Sequence, residues 1–146
     1  MKQYEIIPHT ADLKIRVYGK TIQELFTHSL VGMFQVLQPK AQNCNYNNDR
    51  IECSSLPIIH EIEIISHDYN TLLVDFLSQA LYLSDANNEA YFQLTIIKLI
   101  PTLLVGTLHG VSIQGFEGPE IKAVTYHDLD IVQQDGLFQT DIVFDI

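Results

Sequence analysis

Apolar and polar residues alternate along several short segments of the chain, which is the pattern of half-buried β-strands. One such strand is predicted at residues 13–19, a second at 58–65 and a last one at 137–146. In the last strand Ile142, Phe144 and Ile146 fall on one face, and Asp141, Val143 and Asp145 fall on the other. The chain therefore ends inside a strand pattern, with acidic side chains on its polar face.

Two longer segments repeat apolar residues every three or four positions, as amphipathic helices do. The first helix begins after Thr21, which forms a capping-box signature with a glutamate three residues on, and ends before Pro39. The second helix has Asp68 or Asn70 as its N-cap and is ended by a cluster of Ser, Asp and Asn residues. Asp75, in the middle of this helix, is predicted to lie on its solvent side.

The second half of the chain is rich in strands. Further strands are predicted at residues 91–100, 103–113, 121–127 and 129–133. Asp135 and Gly136 predict a hairpin turn before the last strand, whereas the Asn-rich segment 40–57 is interpreted as a loop. This order predicts an α+β fold in which two helices cover one face of a mixed or antiparallel β-sheet. A single domain spanning residues 1–146 is expected.

Composition narrows the classes of partner. The 146 residues are 47% hydrophobic and 18% charged and carry a formal net charge of −10, which argues against direct binding to a phosphate backbone. Cys44 and Cys53 match neither a disulfide framework nor a zinc site and are expected to be free thiols in a reducing cytosol. The chain opens on polar residues, and its most apolar run, 94–111, contains Lys98 and Pro101. A cytoplasmic protein without a membrane partner is therefore expected.

Three carboxylates are candidates for a metal site. Asp12 and Asp145 each lie on the polar face of a predicted strand, and Ile146 adds a carboxylate as the last residue. Three oxygen ligands of this kind suit Ca²⁺ or Mg²⁺, because hard divalent cations prefer oxygen donors. The alternative is that both aspartates are ordinary solvated acids on a strand surface.

Other candidate groups stand apart from these acids. His9 and His127 are potential ligands or acid–base groups, although separated histidines are commonly structural or surface groups. Lys122 is either a solvated strand lysine or a phosphate contact beside the metal. The chain has no Gly-x-Ser-x-Gly, His-Glu-x-x-His or glycine-rich nucleotide loop, so the usual hydrolase and nucleotide-binding motifs do not apply.

Three blocks of sequence together resemble the archease family. They are His9-Thr10-Ala11-Asp12 with Gly19-Lys20-Thr21, then Leu72-Leu73-Val74-Asp75-Phe76-Leu77 through Leu81-Tyr82-Leu83, and finally Lys122-Ala123-Val124-Thr125-Tyr126-His127 with Phe144-Asp145-Ile146. They span nearly the whole chain in the family's order. In three respects the chain departs from the family: residues 110–121 are short and little charged, Val111 stands where an acid often follows the glycine, and segment 40–57 is unusually rich in Asn.

The resemblance implies a non-catalytic activator of the RNA ligase that joins RNA ends in tRNA splicing and RNA repair. That ligase works through a guanylylated histidine with GTP and manganese, and archeases promote the guanylylation step. The family's cation ligands map onto Asp12, Asp145 and the terminal carboxylate of Ile146, and its important lysine maps onto Lys122. His9 and His127 match motif positions beside the site. A metal-dependent phosphohydrolase and a chaperone-like binding module with a structural ion are the alternatives.

Overall fold

The computed structural model describes residues 2–8, 12–48 and 50–146, which contain two helices and ten strands. In chain order the elements are β1 (Tyr4–Ile7), β2 (Leu13–Gly19), α1 (Ile22–Leu37), β3 (Cys44–Asn47), β4 (Arg50–Cys53), β5 (Ile58–Ile65), α2 (Tyr69–Asn87), β6 (Glu89–Ile100), β7 (Leu103–Ser112), β8 (Ala123–Val124), β9 (Val132–Gln134) and β10 (Leu137–Asp145). The sequence did not predict β1.

The strands divide into three antiparallel sheets. A five-stranded sheet has the order β1-β2-β10-β8, with β9 also paired to β10; a second sheet has the order β5-β7-β6; and β3 pairs with β4. Helix α1 contacts both β2 and β6 and therefore lies between the two larger sheets. One core cluster includes residues of both sheets and both helices. The predicted α+β class is confirmed, although a single sheet was expected.

The helix ends follow the predicted capping. The Thr21 side chain accepts a hydrogen bond from the backbone N–H of Glu24, and Asp68 forms a capping box with Thr71. These caps satisfy backbone N–H groups that have no partner inside the helix. Helix α1 ends at Leu37, two residues before the proline that was predicted to end it.

The prediction of two free cysteine thiols is wrong, because Cys44 and Cys53 form a disulfide. They stand directly opposite each other in the β3–β4 hairpin, with their Cα atoms 4.0 Å apart. The interpretation of residues 40–57 as a loop is also wrong, because the β3–β4 hairpin occupies much of this segment. The polar composition concealed the strands, whose side chains are largely exposed.

The segment between Ile121 and Gln134 contains much less strand than the sequence predicted. Strand β8 has two residues and β9 has three. Between them the chain leaves the sheet, and the N–H of Ile131 donates to the side chain of Asn70 in the first turn of α2. Leu129 is buried in this turn, and a buried apolar residue within a polar segment favoured the mistaken prediction of a strand at residues 129–133.

Within the described part of the chain, no helix is long and apolar enough to cross a membrane.

Candidate functional site

The two predicted metal-binding aspartates lie at the same end of the five-stranded sheet. The ladder between β2 and β10 ends with Leu13 opposite Phe144, so the next position along it places Asp12 opposite Asp145. Side chains directly opposite each other in an antiparallel pair point to the same face. Asp145 is exposed and Asp12 is half-buried. Adjacent strands thus bring together two acids separated by most of the chain.

Lys122 lies on the other side of the terminal strand. In the ladder between β8 and β10, Ala123 stands opposite Asp145, and the backbone N–H of Lys122 donates to the carbonyl oxygen of Asp145 at 2.7 Å. The next position along this ladder places Lys122 opposite Ile146. The backbone of the exposed Lys122 therefore lies beside Asp145 and Ile146 on one side of β10. Asp12, directly before β2, lies on the other side.

The donor set fits a hard cation in chemical type. The ligands expected from the sequence, Asp12, Asp145 and the carboxylate of Ile146, are all oxygen donors, which Ca²⁺ and Mg²⁺ prefer. Among residues 2–8, 12–48 and 50–146, no group of three or more His, Cys, Asp or Glu side chains is arranged to hold a metal ion. The third ligand expected from the sequence, the carboxylate of Ile146, is not a side chain and stays a prediction.

The structure describes only one of the two histidines that were predicted beside the site. His9 lies outside the described residues. The ring of His127 is 68% exposed, and its Nε2 lies 3.4 Å from Oδ2 of Asp128. The same carboxylate lies 3.7 Å from the Lys14 ammonium group. The structure thus places His127 in an ion-pair cluster further along the sheet.

This cluster occupies the face that also carries Asp12 and Asp145. Lys14 lies 3.6 Å from Asp141, and the Arg16 guanidinium contacts the same carboxylate at 2.8 Å. The hydrogen bond from Arg16 is the main reason that the pKa of Asp141 is lowered, and it raises the pKa of Arg16 in return. Lys14 and Arg16 therefore both lie close to acids of this cluster.

A second group of polar residues connects the chain after β8 to helix α2. Asp75 is half-buried and accepts hydrogen bonds from the Ser66 hydroxyl at 2.8 Å and the Tyr126 hydroxyl at 2.5 Å. The bond to Asp75 is the largest cause of a raised pKa of Tyr126. Asp75 is not among the buried residues of α2, in keeping with the predicted solvent side, but its carboxylate is hydrogen-bonded within the protein. No local sequence pattern identifies these contacts, since they join residues 9 and 51 positions apart.

The comparisons with known proteins agree on one family. Residues 4–146 match the family model described as "Archease protein family (MTH1598/TM1083)". The chain is 30% identical to a protein archease of Methanosarcina mazei, over 99% of this chain and 97% of that protein. It is 31% identical to a protein archease of Pyrococcus furiosus, over 100% of both chains.

Two solved structures are also similar. The solution structure of protein 1598 of Methanobacterium thermoautotrophicum has a TM-score of 0.74 and 28% identity, with 100% of both chains covered. The crystal structure of an archease of Thermotoga maritima, described as a possible chaperone, has a TM-score of 0.62 with 96% of this chain and 94% of that chain covered. At 21% identity, this second likeness shows the fold alone. From the match to the family model and the full-length relatives, the chain belongs to the archease family.

Proposed function

We propose that the chain is a non-catalytic activator of a GTP-dependent 3′-phosphate RNA ligase and promotes its guanylylation in tRNA splicing and RNA repair. The observation that carries this proposal is that Asp12 and Lys122 each stand one residue before a strand that flanks β10, Asp12 before β2 and Lys122 before β8. One end of one sheet then presents both acids for a cation and a basic group for a phosphate. The family membership supports the same role.

Asp12, Asp145 and the carboxylate of Ile146 would hold a divalent cation, with Ca²⁺ and Mg²⁺ as the candidates. A bound cation supplies positive charge that neutralises phosphate oxygens. Asp145 is the last residue of β10, and Asp12 and Ile146 are each directly next to a strand, so backbone pairing limits how far the three can move. Asp145 is exposed enough to meet a partner's active site. Lys122 would donate a hydrogen bond to a phosphate oxygen at this end of the sheet.

The net charge of −10 favours a route to RNA through the ligase, since direct backbone binding needs a basic surface. The ligase contributes its own nucleophile and nucleotide, and this chain contributes charge and positioning. A cytoplasmic location is part of this proposal. The Cys44–Cys53 disulfide is unusual for a reducing compartment such as the cytosol. Alkylating the protein as it is isolated from cells shows whether the two cysteines are thiols or a disulfide there, and so tests the cytoplasmic location.

Guanylylation of a purified 3′-phosphate RNA ligase with labelled GTP tests the proposal. The chain at equal concentration is expected to accelerate label transfer, and Asp12→Ala or Lys122→Ala is expected to reduce the acceleration at least about tenfold. Glu52→Ala, which removes an exposed acid from the β3–β4 hairpin, is the matched control and is expected to act like the original chain. Equal rates with and without the chain would overturn the proposal.

A chaperone-like binding module with a structural ion, the alternative left open by the sequence, is the second candidate, and it would keep a client protein folded. Such a module would protect the ligase from heat aggregation without changing the initial rate of guanylylation. A phosphohydrolase would instead release phosphate from an ester when the chain is incubated alone with a divalent cation.

A further inference from the structure

The three-stranded sheet presents one face to the helices and one to solvent. On the inner face Ile62, Ile64, Leu104 and Leu108 are buried. The outward side chains of β5, β7 and β6 are here called the open face. Four isoleucines on this side of the molecule are strongly exposed: Ile59 at 60%, Ile65 at 73%, Ile97 at 72% and Ile100 at 39%. Clustered apolar exposure of this kind is typical of a surface that binds a protein.

The strand register arranges the open face in rows across β5, β7 and β6. The rows are Ile65–Leu103–Ile100, Glu63–Val105–Lys98, Glu61–Thr107–Thr95 and Ile59–His109–Gln93. The first row is wholly apolar, and the row at the opposite end is largely polar. In the second row, Glu63 on β5 and Lys98 on β6 lie on opposite sides of the central strand β7.

We propose that the open face is a homodimer interface, with a two-fold axis parallel to β7 between the two sheets. This axis places β5 of one copy over β6 of the other and keeps each row over itself. Glu63 then faces Lys98 of the second copy, twice in the dimer. Ile65 faces Ile100 in the same way, and Val105 lies against its own counterpart. An isologous interface requires this self-complementarity.

Stacking the two faces about an axis at right angles to the strands is disfavoured by the same rows. A two-fold axis perpendicular to the strands would place β5 over β5 and reverse the order of the rows. Glu63 would then face Glu61 of the second copy, and the apolar row would face the row of His109. Like charges facing each other and apolar side chains facing polar ones both weaken association. The charge pattern therefore selects the axis parallel to β7.

Shape supports the same pairing. A depression of about 410 Å³ lies on the open face, between the two glutamates of β5 and Ile97 of β6, with Val105 and Thr107 in its floor. Ile97 projects at a register irregularity between Ile96 and Lys98. In the proposed dimer, Ile97 of each copy lies over the β5 side of the partner's depression. An exposed isoleucine and a shallow cavity are thus brought together twice.

The size of the face predicts a weak dimer. Three strands about 4.8 Å apart and seven residues rising about 3.4 Å each give a projected area of roughly 340 Å² per copy. Standard stable interfaces bury about 800 Å² per partner. The association is therefore expected to be reversible and to depend on protein concentration. This proposal does not depend on the ligase activity.

Sedimentation velocity of the full chain across a range of concentrations tests the dimer, and two charge reversals test its geometry. Glu63→Lys and Lys98→Glu are each expected to weaken self-association at least about tenfold, because each creates two like-charge contacts. Mixing the two variants should restore dimers, since both charge pairs are opposite again in the mixed pair. Glu52→Lys, an equal charge change on the β3–β4 hairpin, is the control and should leave association unchanged.

Recovery on mixing also excludes misfolding as the cause of the single-variant effects. A chain that stays monomeric at the highest concentration, or a mixture that associates no better than either variant alone, would overturn the proposal. A monomer whose open face becomes protected from hydrogen exchange only when a ligase is added would assign the face to that partner and would also overturn the dimer.

Discussion

The hydrogen bond between Tyr126 and Asp75 is expected to hold the segment after β8 against α2, and a double-mutant cycle measures its strength. Tyr126→Phe removes the hydroxyl alone, and Asp75→Ala removes the acceptor of both the Tyr126 and Ser66 bonds. A hydrogen bond to a charged group is worth about 1.5–3 kcal/mol. The Tyr126 side chain is 58% exposed, so solvent screening reduces the expected coupling energy to about 1 kcal/mol.

Urea unfolding of the original chain, the two single variants and the double variant gives this coupling energy. Tyr126→Phe is expected to cost about 1 kcal/mol. Asp75→Ala is expected to cost at most about 2 kcal/mol, because the Tyr126 hydroxyl loses its acceptor whereas the Ser66 hydroxyl keeps Thr71 as a partner. Tyr82→Phe removes the hydroxyl of a similarly exposed tyrosine of α2 and is expected to change stability by less than about 0.5 kcal/mol. A coupling energy below about 0.3 kcal/mol would show that the bond does not hold the segment.

The pH dependence of the same cycle provides a second check. The pKa of Tyr126 is raised in the folded protein, chiefly by its hydrogen bond to Asp75. The neutral phenol is the donor, so its stabilisation is fully present below the unfolded pKa of about 10 and is lost as pH rises through the higher folded value. The coupling energy should therefore be constant near neutral pH and fall toward zero in strongly alkaline solution.

Three further predictions concern the sheet end, the ion-pair cluster and the hairpin. Two glycines appended after Ile146 would move the terminal carboxylate away, so calorimetric titration should give at least about tenfold weaker Ca²⁺ or Mg²⁺ binding; unchanged affinity would exclude this carboxylate as a ligand. The pKa of Asp141 is lowered by Arg16, so the pair contributes stability above the unfolded pKa of about 3.9 that is lost as pH falls; Arg16→Met should flatten this acid dependence in thermal unfolding between about pH 2 and 5. Reducing Cys44–Cys53, which closes a separation of nine residues, should destabilise the protein by at most about 2.5 kcal/mol, and a reductant should not affect a variant with serine at both positions.

The elements with a strong local pattern could be predicted from the sequence. Strand β5 spans the predicted residues, and α2 begins after Asp68 as its capping residue indicates. The turn at Asp135 and Gly136 is also where the sequence places it, and both residues have positive φ. In each case the determining interaction lies within a few residues along the chain, either as side-chain periodicity or as a cap.

The remaining features depend on contacts between distant parts of the chain. Nothing near Cys44 indicates that Cys53 lies opposite it, because the hairpin that aligns them is polar and largely exposed. The sequence after Val124 alternates like a strand, but the chain leaves the sheet there, and the N–H of Ile131 is hydrogen-bonded to Asn70 on α2. The division of the strands into separate sheets has the same origin, since α1 contacts β2 of one sheet and β6 of the other, which lie far apart in the sequence.

The candidate site combines both kinds of information. Periodicity alone places Asp12 and Asp145 on polar strand faces, but the strand order β1-β2-β10-β8 makes them neighbours. Because β10 lies between β2 and β8, residues near the last position of the chain are flanked by acidic Asp12 on one side and basic Lys122 on the other. Further along the same face, Lys14 lies near both Asp141 and Asp128. A divalent cation at the strand ends, as proposed above, would offset the repulsion between two carboxylates brought onto neighbouring strands.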